Sequence, residues 1–133
     1  MRAARLHAYD QRLQVDTVPE PEIKGHHDVI VRIGGAGLCR TDLHIIEGIW
    51  QNKVDVQLPY TLGHENAGWV EAVGDAVTSV RPGDAVIVHP LITDGVCAAC
   101  RRGEDMYCEN GVFPGLNADG GFAQYFLTNE RAL

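Results

Sequence analysis

Between Thr93 and Asn110, an aspartate and three cysteines fall in the order Asp94-x2-Cys97-x2-Cys100-x7-Cys108. Thiolates two residues apart can wrap one tetrahedral ion, and a closed four-ligand shell is the mark of structural zinc. A redox Cys-x-x-Cys pair is the competing reading, but it wants a βαβ setting that the surrounding pattern lacks. Asp94 itself reads two ways, as a carboxylate ligand or, with Gly95, as an ordinary turn former. A second set is dispersed along the chain: Gly37-Leu38-Cys39-Arg40-Thr41-Asp42-Leu43-His44, then Gly63-His64-Glu65-Asn66. Cys39, His64 and Glu65 offer sulfur, nitrogen and oxygen donors, all legitimate zinc ligands. Taken alone, the same residues also read as a core cysteine and a surface His–Glu pair.

The elements that must position these groups are short. Arg2 to Tyr9 reads as an edge strand with Leu13 to Val18 as its partner, and Pro19-Glu20-Pro21 ends the pairing. Asp28 to Ile33 alternates, with Val29, Val31 and Ile33 on one face, and Gly34-Gly35-Ala36-Gly37 is expected to break that strand. A helical turn follows, with Thr41 as N-cap, Asp42 in the first turn and Gly48 as stop. Ala67 to Val73, a buried Ala85 to Val88 and Phe122 to Thr128 read as further strands. Arg81-Pro82-Gly83-Asp84 is a turn, because proline presets φ at its second position and glycine permits positive φ at its third. Leu91 to Asn117 shows no sustained period, and a loop that long needs an anchor of its own. Trp69 is expected in the core; Trp50, in the segment Gly48 to Pro59, is a pocket wall or a loop anchor. Many short strands, turn signals and little helix predict a mainly β fold, a small, partly open β-barrel.

Composition narrows the partners. The chain has 133 residues, enough for one domain, with 18 acidic against 11 basic side chains, a net charge of −7. Its densest basic pair is Arg101-Arg102, so nucleic acid and anionic membrane surfaces, which reward clustered positive charge, are not expected partners. No window approaches the ~20 apolar residues of a membrane span, and the first ten residues carry no signal-like apolar stretch. A cytoplasmic, reducing compartment is the expected location, where four cysteines point to metal or catalysis before disulfides.

Gly37-x-Cys39-x-Thr41-Asp42-x-His44, Gly63-His64-Glu65-x-x-Gly68 and the spaced cysteine loop together resemble the zinc-dependent medium-chain alcohol dehydrogenases. Val73-Gly74-Asp75-x-Val77 and Arg81-Pro82-Gly83-Asp84-x-Val86 match in the same order, so the resemblance runs across nearly the whole chain. It implies a GroES-like catalytic domain over residues 1–133 with short helices, a zinc-lobe loop and two zinc sites. Cys39 and His64 would hold catalytic zinc, with Glu65 a nearby ligand or exchange partner. Thr41 would pass the substrate hydroxyl proton to His44, Asp42 would orient His64 through its other ring nitrogen, and Arg40 would approach the cofactor pyrophosphate. Cys97, Cys100 and Cys108 match the structural zinc lobe, while Asp94 stands where the family usually has cysteine. The implied chemistry is zinc-assisted ionisation of an alcohol, followed by hydride transfer to NAD or NADP.

The family continues into a dinucleotide-binding Rossmann domain, which these residues are expected to lack. Gly35-x-Gly37-x-x-Arg40 misses the final glycine of a cofactor fingerprint and has no βαβ unit around it. Two readings follow: the zinc-binding domain of an alcohol dehydrogenase acting on a small alcohol or carbonyl compound, inactive alone, or a stand-alone zinc-binding β-barrel module that binds a partner without turnover. An apolar face left free would favour association of like chains, so a homo-oligomer stays among the expected partners.

Overall fold

The computed structural model describes residues 1–53 and 57–133. Strands β1 (Arg2–Leu6), β2 (Gln14–Thr17), β3 (Asp28–Gly37), β4 (Tyr60–Thr61), β5 (Glu65–Val73), β6 (Ala85–Val88) and β7 (Tyr125–Asn129) form two open antiparallel sheets. The strand order is β2-β1-β4 in the first and β6-β5-β3-β7 in the second. The fold is thus mainly β, as the turn-punctuated sequence predicts. Helix α1 (Arg40–Ile46) lies between β3 and β4 in the chain, and the shorter α2 (Ala98–Arg101) and a 3-10 turn (Asp105–Tyr107) lie inside the cysteine loop.

Each sheet carries its own apolar cluster. Val29, Val31, Val70, Val88 and Phe126 pack together in the second sheet. Leu6, Ile45, Tyr60 and Leu62 pack α1 against the first. Leu6, Leu62, Val29 and Val31 are fully enclosed, and burying each such side chain contributes about 1.5–3 kcal/mol. The segment before β7 ties the two sheets together: Ala4 N–H donates to Phe122 O at 2.7 Å and Gln124 N–H to Arg2 O at 3.2 Å.

Several expectations shift for physical reasons. β1 is not an edge strand; β4 pairs with its far side through Arg5↔Thr61 and Leu6↔Tyr60. The Gly34–Gly37 run does not break β3, which continues to Gly37 opposite Glu65. An irregularity between Ile33 and Gly35 absorbs the extra residue, and a side chain at Gly34 would strike the Trp69 ring, so glycine keeps this strand in place. Trp69 is not core: it stays 42% exposed on the outer face of β5, with the Arg32 guanidinium 4.8 Å from its ring centroid. β6 is likewise not buried but an edge, with Ile87 80% exposed. The last strand is Tyr125–Asn129 rather than Phe122 to Thr128, because residues 120–124 pair with Leu62, Gly63 and the first sheet instead. Trp50 packs against the Leu6 cluster as a loop anchor; residues 54–56 of its segment lie outside the described residues. The Arg81–Asp84 turn forms as expected, with Gly83 at φ +96 and Asp84 N–H donating to Arg81 O at 3.1 Å.

Candidate metal centres

The first centre forms where β3 hands over to α1. Cys39, not Thr41, is the N-cap: its sulfur accepts from Thr41 N–H at 3.2 Å, and the Asp42 carboxylate accepts from Cys39 N–H at 2.9 Å. This reciprocal pair starts the helix at Arg40, earlier than a Thr41 cap would allow. His64 arrives from the turn between β4 and β5, where Gly63 sits at φ +99. There Cys39 Sγ and His64 Nε2 are 3.0 Å apart. Behind the ring, His64 Nδ1 faces Asp42 Oδ1 at 3.5 Å, with both side chains buried. Glu65 completes the group, since Gly37↔Glu65 register on neighbouring strands brings its carboxylate beside Cys39. A side chain at Gly37 would fall onto that carboxylate. The ligand atoms of Cys39, His64 and Glu65 all lie within 4.8 Å of one another.

The donor set fits a divalent, borderline-soft ion. Sulfur, nitrogen and oxygen converge, and one carboxylate stands behind the histidine to fix its tautomer. Two ligands of one tetrahedral zinc, sulfur and nitrogen, would be about 3.5 Å apart, so the Cys39–His64 pair must open by about half an ångström. Arg40 and His44 occupy the exposed side of α1, one turn apart, with Arg40 Nε donating to His44 Nε2 at 3.1 Å. Thr41 enters these hydrogen bonds through its backbone N–H.

The second centre gathers Asp94, Cys97, Cys100 and Cys108, again with ligand atoms within 4.8 Å of one another. Cys97 is the N-cap of α2, and its sulfur accepts from Cys100 N–H at 3.5 Å. All the cysteines are free, and Cys97 Sγ stands 3.9 Å from Cys108 Sγ. That separation is near the about 3.8 Å expected of two thiolates on one tetrahedral zinc. Asp94 forms the turn that one of its two readings expects, and its carboxylate lies near the thiols. Its Oδ1 accepts from Val96 N–H at 2.9 Å and Cys97 N–H at 3.0 Å, as a turn former does, while it stands among the three thiols. The Cys97 N–H, then the Asn110 amide at 2.6 Å, then the Val96 N–H hold its carboxyl well below the usual range. The Cys100 and Glu109 N–H groups lower the Cys97 thiol, whereas burial pushes Cys100 up to about 12.

Some residues of the two centres escaped sequence reasoning. Phe113 packs on the His64 ring with centroids 5.4 Å apart. Asn66 donates to Gly63 O at 3.3 Å and so steadies the turn that presents His64. Asn110 holds Asp94. Asn66 stood inside the Gly63–Asn66 motif without a role, whereas Phe113 and Asn110 act on residues far away in sequence, which spacing does not mark.

Residues 25–133 match the family model described as the alcohol dehydrogenase GroES-like domain. D-arabinose 1-dehydrogenase (NADP(+)) of Saccharolobus solfataricus is 41% identical over 129 residues, which are 97% of this chain and 36% of that protein. An NAD-dependent alcohol dehydrogenase of Sulfurisphaera tokodaii is 40% identical over 132 residues, 96% of this chain and 38% of that protein. The crystal structure of the alcohol dehydrogenase from Aeropyrum pernix superposes with a TM-score of 0.95 at 54% identity, covering 99% of this chain and 38% of that one. The chain thus spans well under half the length of these relatives.

Proposed function

The chain belongs to the alcohol dehydrogenase GroES-like domain family, and from that premise we propose that residues 1–133 are the zinc-binding, substrate-side domain of an NAD- or NADP-dependent alcohol dehydrogenase. The substrate is a small alcohol or carbonyl compound, and the nicotinamide is held by a domain outside these residues. The observation that carries the reading is the convergence of Cys39 Sγ on His64 Nε2 at 3.0 Å, with buried Asp42 behind the ring.

Cys39, His64 and Glu65 would hold the catalytic zinc, and Asp94, Cys97, Cys100 and Cys108 the structural one. Bound zinc supplies Lewis acidity that lowers the pKa of an alcohol hydroxyl. Asp42 Oδ1 faces His64 Nδ1 at 3.5 Å and, on closing to hydrogen-bond distance, would accept its proton and leave Nε2 as the free donor atom facing Cys39. Phe113 and the buried floor under His64 keep water from that side. The Thr41 hydroxyl can both accept and donate, so it takes the substrate proton and hands it to His44, which exchanges it with solvent. Arg40 turns from His44 toward the cofactor pyrophosphate. Hydride transfer needs the nicotinamide fixed against the substrate, and these residues alone are expected to show no turnover.

Native mass spectrometry of the purified chain tests the assignment. One zinc per ligand set is expected, with Cys39→Ser and Cys100→Ser each removing a different one. A wild-type chain that binds no zinc from a zinc-buffered solution would overturn the reading. Alcohol oxidation by the chain alone with NAD would overturn the assignment of the nicotinamide to a separate domain.

A further inference from the structure

The cysteine lobe must be fastened to the sheets by something other than its own ligands, because α2 has four residues and the 3-10 turn Asp105–Tyr107 three. The fastening comes from the turn after β7. Asn129 Oδ1 accepts from Arg131 N–H at 3.1 Å, which fixes the direction of the 3-10 turn Glu130–Ala132. Its neighbours lock it to the sheet body. The Glu130 carboxylate accepts from Thr78 N–H at 3.0 Å, Ser79 N–H at 3.2 Å and Ser79 Oγ at 2.8 Å, and it pairs with His27 Nδ1 at 2.6 Å. Ala132 is buried and its carbonyl accepts from His89 N–H at 2.7 Å.

Between these two anchored residues, Arg131 points the other way, into the lobe. Its Nε donates to Thr93 Oγ1 at 3.0 Å, and its Nη2 donates to both oxygens of Asp105, at 3.2 and 3.0 Å. Thr93 immediately precedes Asp94, and Asp105 opens the turn that runs from Cys100 into Cys108. One guanidinium therefore grips the lobe where its first ligand enters and where its last one is delivered. Gly95 at φ +71 leaves room for this approach, since a side chain there would meet the guanidinium at 3.0 Å. Charge points the same way. Asp105 adds a carboxylate beside a lobe whose three thiolates and one carboxylate would already over-supply one divalent ion with negative charge. Arg131 offsets the additional anion.

We propose that Arg131 is a positioning residue for the cysteine lobe, tying Thr93 and Asp105 to the turn after β7 and so setting how long the lobe retains its metal. This rests on the proposed structural zinc. The clamp is partly exposed, with side-chain exposures of 42% for Arg131 and 46% for Asp105, which places its effect at the modest end. Zinc release from the lobe should quicken about three- to tenfold in Arg131→Ala, between the small worth of a surface ion pair and the larger cost of losing a ligand's support.

The zinc-loaded full chain is mixed with excess chromogenic chelator, and release is followed as two phases, assigned with Cys39→Ser and Cys100→Ser. Arg131→Ala should accelerate only the lobe phase and expose residues 91–117 to protease. Arg131→Lys should fall between it and wild type, because lysine keeps the charge but cannot reach Thr93 and Asp105 with the same planar fork. Asp105→Asn should match Arg131→Ala without touching the turn, which covers a failure of Arg131→Ala to fold. A wild-type lobe phase unchanged in all three variants would overturn the clamp and leave the zinc assignment standing. A wild-type chain with no lobe zinc would overturn both.

Discussion

Asp42→Asn is the sharpest probe of how the first centre works. Asp42 is fully buried, and its two oxygens have separate duties: Oδ2 accepts from Cys39 N–H at 2.9 Å, and Oδ1 faces His64 Nδ1 at 3.5 Å. Among the described residues neither Asp42 Oδ1 nor His64 Nδ1 makes a hydrogen bond, so each has only the other within reach. Asparagine offers one acceptor and one donor, so it cannot satisfy two N–H groups. If its oxygen serves Cys39, its amide confronts His64 Nδ1, and the ring must accept there and carry its proton on Nε2. That is the wrong tautomer for ligation. Support of this kind is worth about 10- to 100-fold in metal affinity, or about 1.4–2.7 kcal/mol. Competition against a zinc buffer, read by native mass spectrometry, should show this loss for the zinc held by Cys39 and an unchanged affinity for the cysteine lobe. Wild-type affinity at the Cys39 centre would refute the tautomer argument. An equal loss at both centres would mean the variant had unsettled the fold instead.

Two further predictions concern the frame. Gly63→Ala combines a left-handed backbone at φ +99 with a Cβ that lands on the Phe122 ring and 2.8 Å from its backbone nitrogen. Strain and overpacking should lower stability by about 2–5 kcal/mol, and a urea unfolding free energy within about 1 kcal/mol of wild type, at about unchanged slope, would contradict it. Glu130 is held down at about 2, first by Thr78 N–H and then by His27 and Ser79, below its ordinary 4.5. A lowered carboxyl stabilises the fold above its unfolded value and stops doing so as pH falls through the folded one. The melting-temperature gap between wild type and Glu130→Gln should therefore be widest above pH 5 and close between about 5 and 2; a gap independent of pH would sink this account.

What could be read from the sequence was whatever is decided within a few residues. Cys97-x2-Cys100 wraps because two residues make one turn, Gly83 forms its turn because only glycine suits φ +96, and α1 ends before Gly48 at φ +73. The glycines of β3 misled for a related reason. Gly34–Gly37 resembles a breaker locally, yet it exists to admit Trp69 and Glu65 from the neighbouring strand, a demand visible only once β3 and β5 are paired. Trp69 misled by size. Its register puts it on the same outward face as Glu65 and Glu71, while Asn66, Gly68 and Val70 point inward, and alternation outranks bulk in a strand with one solvated face. The Asp42–His64 pairing rests on a loop closure of twenty-odd residues that no local spacing encodes, and only the family resemblance leads one to expect it.

The two centres also share a device that neither motif announces. Cys39 caps α1 and Cys97 caps α2, and in each case the sulfur accepts a backbone N–H from the first turn it starts. A helix N-terminus offers unpaired N–H groups pointing outward, and at each cap the sulfur takes one of them. The same few residues therefore start the helix and present the sulfur, so the ligand's position depends on backbone geometry rather than on a free rotamer. The lobe shows how far this reaches. Cys97, at the cap, is lowered by the Cys100 N–H, whereas Cys100, buried on the helix itself, is pushed up to about 12.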